Sequence, residues 1–278
     1  MTIQTALVQG AEILEKGAIS PSRLTAEVLL CHAMHCERAY LYAHGNDDLT
    51  QLAWIHYGRY LHERLKGKPT QYITRKQEFF GREFYVNPDV LIPRPETEHL
   101  VEAALNFLKS RPESKILDLG TGSGAIAISV ALESGSEVMA SDVSMGALKV
   151  AKRNRDKHSA PVRLLAGDLL DPITPSSIDL LVSNPPYVPA TDEANLQREV
   201  RDWEPHVALF SGNTGLEIYE RLIRGAEVVL KRGGRLLMEL GYQSLEGVRE
   251  MLAPRWTDID VMSDLAGLPR VLGASVRR

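Results

Sequence analysis

The sequence predicts an α/β protein, in which a mostly parallel sheet with helices on both faces follows a small helical domain. From residue 2 to about 67, apolar residues recur at helical spacing. Three prolines in NPDVLIPRPETE then interrupt the chain, because proline fits neither a helix interior nor a central strand. After Pro95, short strands alternate with helices, which is typical of a parallel sheet.

The helical segment, residues 1–75, contains recognisable helix ends. Ser20-Pro21 and Thr50 are typical of helix N-termini, and Gly17, Gly45 and Gly67 are typical of helix stops. Acidic and basic residues are equal in number over the first 90 residues. We therefore expect this domain to recognise a protein rather than nucleic acid.

Residues 76–94 are predicted to link the two domains. QEFFGREFYV contains two aromatic-rich runs around Gly81, a pattern typical of a β-hairpin, and the proline-rich connector follows it. Residues 95–278 then form the α/β domain. Its last two predicted strands, WTDIDVMSD and PRVLGASV, have no helix between them, so we expect an antiparallel edge there.

Composition excludes several classes of protein. The 278-residue chain is 44% hydrophobic and carries a net charge of -4, so it should fold and has no basic field for nucleic acid. Its longest apolar runs are strand-sized, and the opening helix carries Glu12 and Glu15. We expect a soluble, cytoplasmic protein without membrane association.

The segment CHAMHC resembles a metal site in composition only. Cys31 and His35 share one helix face and His32 and Cys36 share another, but the two pairs point in different directions. Cysteine is often a small core residue. We predict no metal site.

A glycine-rich loop lies where the first strand of the α/β domain meets a helix. ILDLGTGSGAIAI places Gly120, Gly122 and Gly124 there, and glycines let the backbone approach a ligand at the carboxyl end of a strand. Gly120, Gly122 and Ala125 also fit the looser dinucleotide pattern G-x-G-x-x-A. A nicotinamide cofactor therefore stays open at this point.

Two aspartates end the next two strands. Asp142 can accept the ribose hydroxyls of an adenosyl group, and Asp168 is placed to accept from an adenine amino group, with Leu169 beside the ring. Either aspartate alone could be a helix cap or a turn residue. Suitable groups at three successive strand ends favour an adenosine-containing cofactor.

The fourth strand ends in Asn184-Pro185-Pro186-Tyr187, next to the first strand across the switch point. This tetrapeptide supplies no proton donor suited to hydride transfer. Methyl transfer instead requires a nucleophile held in line with an activated methyl. The Asn184 side-chain oxygen and the Pro185 carbonyl can accept both hydrogens of a planar NH2 group, on which Tyr187 can stack.

These motifs resemble the amino-methylating class I methyltransferases, and the layout of nearly the whole chain is similar to the HemK/PrmC family of release factor glutamine N5-methyltransferases. LIPRPETE, REVRDWEPHVALFSG and DLAGLPRVL make the match narrower than Asn-Pro-Pro-Tyr alone. The resemblance implies a Rossmann-like fold over residues 95–278, with a mostly parallel seven-stranded sheet and an antiparallel edge. It also implies S-adenosyl-L-methionine as the cofactor and the glutamine of a Gly-Gly-Gln loop in bacterial class 1 peptide chain release factors as the substrate.

The resemblance implies these site residues. The expected catalytic residues are Asn184, Pro185 and Tyr187. The glutamine is expected to be held by these three residues and by Pro186. Cofactor contacts are expected at Gly120, Thr121, Gly122, Ser123, Gly124, Asp142, Asp168, Leu169 and Asn184.

Several alternatives and roles stay open. A glutamine methyltransferase acting on a ribosomal protein shares the motif, as does an adenine-N6 methyltransferase of nucleic acid. A nicotinamide-dependent oxidoreductase and a non-catalytic adenosine-binding module belong to other classes. The sequence does not assign roles to Arg94, Glu96, Glu204, His206 and Glu239.

Overall fold

The computed structural model describes residues 1–252, 254–264 and 266–277. Ala253, Leu265, which belongs to the DLAGLPRVL segment, and Arg278 lie outside the described residues. The chain divides into two compact units. The first contains Met1–Lys76 and Gln197–Trp203, and the second contains Gln77–Leu196 and Glu204–Arg278.

The first unit is built from short helices around an apolar core. Its core includes Leu7, Leu14, Leu29, Leu30 and Tyr57, all almost fully buried. The helices of Met1–Lys76 are α1 (Ile3–Lys16), α2 (Ser22–Met34), α3 (Arg38–Ala43), α4 (Gln51–Leu65) and α5 (Thr70–Thr74).

Two helix N-termini in this unit can be compared with the capping residues predicted from the sequence. The Thr50 side chain accepts from the backbone N–H of Ala53, which confirms the predicted cap of α4. Helix α2 begins at Ser22 with Pro21 in the cap position, one residue later than predicted. Pro21 has extended backbone angles (φ -75°, ψ 118°) and so ends the preceding loop instead of opening the helix.

A hairpin and a short connector follow, as predicted. Strands β1 (Lys76–Phe79) and β2 (Arg82–Tyr85) pair around Phe80 and Gly81. Both turn residues have positive φ, 49° and 68°, which matches the twist of a tight hairpin. The connector ends in a 3₁₀ turn at Pro95–Thr97, which leads into α6 (Glu98–Leu108).

The second unit contains the predicted sheet, which has seven strands within the described residues. Its order is β10-β11-β9-β6-β3-β4-β5. Neighbours among β3, β4, β5, β6 and β9 are parallel, whereas β11 is antiparallel to both β9 and β10, as predicted. The strands are β3 (Ile116–Leu119), β4 (Val138–Asp142), β5 (Val162–Ala166), β6 (Ile178–Ser183), β9 (Leu230–Glu239), β10 (Trp256–Ser263) and β11 (Pro269–Val276).

Helices cover both faces of this sheet. Leu100 of α6 and Ile128 of α7 belong to one buried cluster, and Tyr219 of α10 and Val248 of α11 belong to the other. None of the helices in the described residues is long and apolar enough to cross a membrane. The remaining helices are α7 (Ala125–Ser134), α8 (Met145–His158), α10 (Glu217–Val229) and α11 (Leu245–Met251).

The segment after Asn-Pro-Pro-Tyr was not predicted in detail. It contains a two-strand parallel pair, β7 (Val188–Pro189) with β8 (Phe210–Gly212), and the helix α9 (Arg198–Trp203). Helix α9 groups with the first unit, where Glu199 pairs with the nearly buried Arg64 at 2.6 Å. Although it follows Asn184 in sequence, α9 therefore packs as part of the helical unit.

Candidate active site

The ends of two neighbouring parallel strands define the candidate site. Leu119 of β3 pairs with Ser183 of β6, so the next residues, Gly120 and Asn184, leave the sheet side by side. The carboxyl ends of parallel strands at a switch point are the usual ligand site of such sheets. The structure thus brings the glycine loop and Asn184 together.

A cavity of about 340 Å³ opens at this edge of the sheet. Its volume falls in the range typical of small-molecule sites. The lining includes every residue from Gly120 to Ser123, together with Asp142, Asp168, Leu169, Asn184, Pro186, Arg94, Thr97, Val207, Phe210 and Arg221.

The glycine loop leaves room for a ligand. Gly120 and Gly122 have φ values of 70° and 56°, which favour glycine, and a Cβ at either position would meet no atom of the other described residues within 4 Å, chain neighbours aside. Gly124 differs, since a Cβ there would lie 3.0 Å from Ile128. Gly120 and Gly122 therefore keep the cavity open, whereas Gly124 permits close packing at the start of α7.

The two polar side chains of the loop face inward. Thr121 is buried and donates to the Asp118 carboxylate at 2.6 Å. Ser123 is also buried, and its carbonyl accepts from the Asn154 amide at 2.8 Å. Both residues line the cavity, and these hydrogen bonds fix the conformation of the loop.

The carboxylate of Asp118, a residue of β3, reaches the N-terminal end of α7. Its Oδ2 accepts from Thr121 and from the backbone N–H of Ala127, and burial raises the pKa of Asp118 to about 7. Among the described residues, its Oδ1 has no hydrogen-bond partner. Because the Asp118 carboxyl group accepts a hydrogen bond from a backbone N–H of the first turn, the N-terminus of α7 is poorly suited to binding a pyrophosphate.

Asp142 is oriented by the backbone around it. Its Oδ2 accepts from the N–H of Gly122 at 2.9 Å, and its Oδ1 accepts from the N–H of Ser144 at 2.8 Å. Burial raises the pKa of Asp142, against the effect of these hydrogen bonds. The carboxyl group is therefore held in place at the rim of the glycine loop.

Asp168 follows β5 and carries a partner that the sequence did not reveal. Arg221 of α10 donates to its Oδ2 at 2.8 Å. The other arginine of the lining, Arg94, pairs with the buried Glu204, which also accepts from the N–H of Ile92 at 3.2 Å. Both lining arginines are thus neutralised, which makes the cavity less suited to a phosphate group.

Asn184 belongs to a hydrogen-bonded chain. Its Nδ2 donates to Thr97 Oγ1 at 3.2 Å, and Thr97 Oγ1 donates to Glu239 Oε2 at 2.6 Å. Thr97 and Glu239 are 4% and 1% exposed. Thr97 was not identified from the sequence, although it lies inside LIPRPETE.

The rest of the Asn-Pro-Pro-Tyr turn is divided between cavity and core. Pro186 lines the cavity and Pro185 is buried. The Tyr187 ring lies against Gly241, where a Cβ would come within 2.6 Å of it, and burial raises the pKa of Tyr187 to about 12. Burial raises the pKa of Glu239, and Tyr187 is among the groups that oppose this rise, so the tyrosine is near the same carboxyl group as Thr97.

Comparison with known proteins gives two family matches. The PrmC N-terminal domain matches residues 5–74, and the methyltransferase small domain matches residues 98–200. Thus one family matches the helical unit, and a second family matches part of the unit that contains the cavity.

Individual relatives match almost the whole chain. The chain is 42% identical to a release factor glutamine methyltransferase of Koribacter versatilis over 98% of both chains. It is 37% identical to a protein of the same name from Bacillus subtilis, over 91% of both chains. A solved T. thermophilus 16S rRNA N2 G1207 methyltransferase in complex with AdoMet and guanosine shares the fold, with a TM-score of 0.52, 19% identity, and coverage of 73% of this chain and 50% of that one.

Proposed function

Because the chain belongs to the release factor glutamine methyltransferase family, we propose that it methylates the side-chain amide nitrogen (N5) of a glutamine in bacterial class 1 peptide chain release factors. The glutamine is that of the Gly-Gly-Gln loop, and the methyl donor is S-adenosyl-L-methionine. One observation carries the proposal: Asn184 and the glycine loop lie at adjacent strand ends and line one cavity. Such an enzyme acts in the cytoplasm.

The cavity suits the proposed cofactor better than a dinucleotide. Gly120 and Gly122 leave open space beside the loop, and Asp142 is held at its rim. Within the described residues, the two arginines that line the cavity are both paired with carboxylates, which makes the cavity less suited to a pyrophosphate. We propose that the loop from Gly120 to Gly124, together with Asp142, Asp168, Leu169 and Asn184, holds S-adenosyl-L-methionine.

The cofactor supplies an activated methyl group, and the chain positions the acceptor. The Asn184 side-chain oxygen and the Pro185 carbonyl accept the two hydrogens of the glutamine amide, with Pro186 and Tyr187 bordering it. The nitrogen gains positive charge as it is methylated, so these hydrogen bonds strengthen in the transition state. The methylated nitrogen then loses a proton to water, and no dedicated base is required.

The first unit is proposed to recognise the release factor. Leu52 and Ile55 lie one turn apart on α4 and are 65% and 57% exposed. We propose that this exposed apolar pair belongs to the surface that contacts the release factor. The equal numbers of acidic and basic residues over the first 90 residues also favour a protein partner.

The experiment is a competition between substrate classes. The protein is incubated with tritiated S-adenosyl-L-methionine and, in parallel, a purified class 1 release factor, a ribosomal protein and nucleic acid. We expect label in the release factor. Label confined to the ribosomal protein or to nucleic acid would replace the proposed substrate, because adenine presents a similar planar amino group.

Two variants test the role of Asn184. Asn184→Ala should abolish turnover while lowering the affinity for S-adenosylhomocysteine only slightly, as measured by calorimetry, because the glycine loop, Asp142, Asp168 and Leu169 still hold the cofactor. Asn106→Ala removes an exposed asparagine from α6 and should behave as the unmodified protein. Near-normal turnover of Asn184→Ala would reject the mechanism.

A further inference from the structure

The orientation of the Asn184 amide depends on two buried residues from distant parts of the chain. Thr97 lies in the 3₁₀ turn before α6, and Glu239 is the last residue of β9. The hydrogen bonds from Asn184 to Thr97 and from Thr97 to Glu239 join them to the end of β6. Asn184 and Thr97 line the cavity, whereas Glu239 is buried behind them.

We propose that Thr97 and Glu239 are positioning residues that determine which end of the Asn184 amide faces the substrate. The inference rests on the proposed function, in which the Asn184 oxygen accepts from a planar NH2 group. An asparagine amide has an accepting oxygen and a donating NH2, and only the oxygen can serve that purpose.

The chemistry of Thr97 dictates the direction of the chain. A threonine hydroxyl has one hydrogen, and Thr97 donates it to Glu239 at 2.6 Å, a length typical of a bond to a carboxylate. Towards Asn184 the Thr97 oxygen can then only accept. The NH2 end of Asn184 must therefore face Thr97, and Oδ1 is left for the substrate.

A proton on Glu239 would reverse this direction. Protonated Glu239 can donate to Thr97, whose hydrogen would then turn towards Asn184 and require the amide oxygen. The amide NH2 would face the substrate NH2, and two donors cannot form a hydrogen bond. When Oε2 carries no proton, as in the carboxylate form of Glu239, Thr97 favours the productive amide orientation.

Several groups around Glu239 influence that proton. Burial raises the pKa of Glu239, while hydrogen bonds from Thr97 and Tyr187 and the charge of Arg270 lower it and Glu96 raises it. Arg270 is itself paired with Asp264 at 2.9 Å. The hydroxyl of Tyr219 donates to the Glu239 backbone carbonyl at 2.8 Å and leaves the carboxyl group untouched.

The first test removes or restores the hydroxyl at residue 97. Thr97→Val keeps the shape but neither donates nor accepts, so the amide loses its preferred orientation. We expect kcat on the release factor to fall about 10- to 100-fold, with affinity for S-adenosylhomocysteine within about threefold of the unmodified protein. Thr97→Ser restores the hydroxyl and should return kcat to within about threefold.

The second test uses the pH profile of kcat. The unmodified protein should lose activity towards acid with an apparent pKa above the ordinary glutamate value, as Glu239 takes up a proton. Glu239→Gln cannot titrate, so this acid limb should disappear. Its amide can present either end to Thr97, so we expect a smaller loss of kcat than in Thr97→Val.

Tyr219→Phe is the matched control. It removes a buried hydroxyl that bonds the backbone of Glu239 and Gly241, and it should lower stability while leaving kcat and the acid limb in place. Full activity of Thr97→Val, failure of Thr97→Ser to rescue it, or an acid limb that persists in Glu239→Gln would overturn the proposal. An equal loss of kcat in Tyr219→Phe would also do so, because it would indicate a purely structural role.

The test of the positioning role and the test of the proposed function can fail independently. Which substrate the unmodified protein labels tests the function, whereas the ratios of the variants to the unmodified protein test the positioning role. These ratios are measured on the substrate that takes up the label. A ribosomal protein or an adenine as the true substrate would reject the release factor and still allow the ratios to be read.

Discussion

Arg221 donates to one oxygen of the Asp168 carboxylate at 2.8 Å, and both residues line the same cavity. Each side chain is about half exposed, 50% and 53%, so the ion pair contributes little to folding stability. Its effect is instead to hold Oδ2 and leave Oδ1 available at the cavity. This arrangement agrees with the proposed role of Asp168 in accepting from the adenine amino group.

Asp168→Ala is expected to lower the affinity for S-adenosylhomocysteine about 10-fold, because one hydrogen bond to a charged group is lost. Arg221→Ala should have a smaller effect in the same direction. Arg224→Ala, which removes an exposed arginine paired with Glu220 on the same helix, should have none. Calorimetry measures all three, and equal affinities for Asp168→Ala and Arg224→Ala would remove Asp168 from the site.

Gly120→Ala is expected to weaken cofactor binding more than it weakens the fold. Gly135 offers a matched control, since it has nearly the same φ, 71° against 70°, and a Cβ at Gly135 would likewise meet no protein atom within 4 Å. Both substitutions should cost about 1 kcal/mol through the strained backbone. Only Gly120→Ala places a methyl group in the cavity, so only this variant should lose affinity for S-adenosylhomocysteine. An equal loss of affinity in Gly135→Ala would contradict this prediction.

Asp118 should make stability depend on pH. Its pKa is about 7 in the folded protein against an ordinary value of 3.8, so the folded state binds the proton more tightly. The stability it contributes is present below about pH 4 and is lost as the pH rises through about 7. The Tm of Asp118→Asn relative to the unmodified protein should therefore rise between pH 5 and pH 8. A constant difference in Tm over this range would show that Asp118 does not titrate there.

Glu204→Ala should destabilise the second unit. The carboxylate is 3% exposed, pairs with Arg94 and accepts from the N–H of Ile92, so its removal leaves two donors without this acceptor. We expect a loss of about 2 kcal/mol in the free energy of unfolding, measured by urea denaturation. Glu220→Ala breaks an exposed pair and should lose less than about 0.5 kcal/mol. Similar losses in both would indicate that Glu204 contributes no more than a surface charge.

The sheet and the position of the site could be predicted because local signals repeat along the chain. Each of these parallel strands is a short apolar run, and its functional group is the last residue of the strand or lies within two residues after it, as at Asp142, Asp168 and Asn184. The order of the strands brings those ends to one edge. A backbone position with positive φ favours glycine, so a position such as Gly120 can be recognised in the sequence.

The supporting contacts could not be predicted in the same way. Arg221 lies 53 residues after Asp168, and Glu239 lies 142 residues after Thr97, so no local spacing connects them. Helix α9 is a further case, because its grouping with the first unit depends on the long-range pairing of Glu199 with Arg64. Such contacts are set by tertiary packing, and hydrophobic periodicity and turn motifs do not predict them.

We propose that the protein methylates the glutamine of a Gly-Gly-Gln loop at this cavity. The most direct test is peptide mass analysis of a class 1 release factor after incubation with S-adenosyl-L-methionine and either the unmodified protein or Asn184→Ala. We expect the mass of one methyl group on the glutamine of that loop with the unmodified protein and none with the variant. A methyl group on another residue, or equal methylation by Asn184→Ala, would contradict the account.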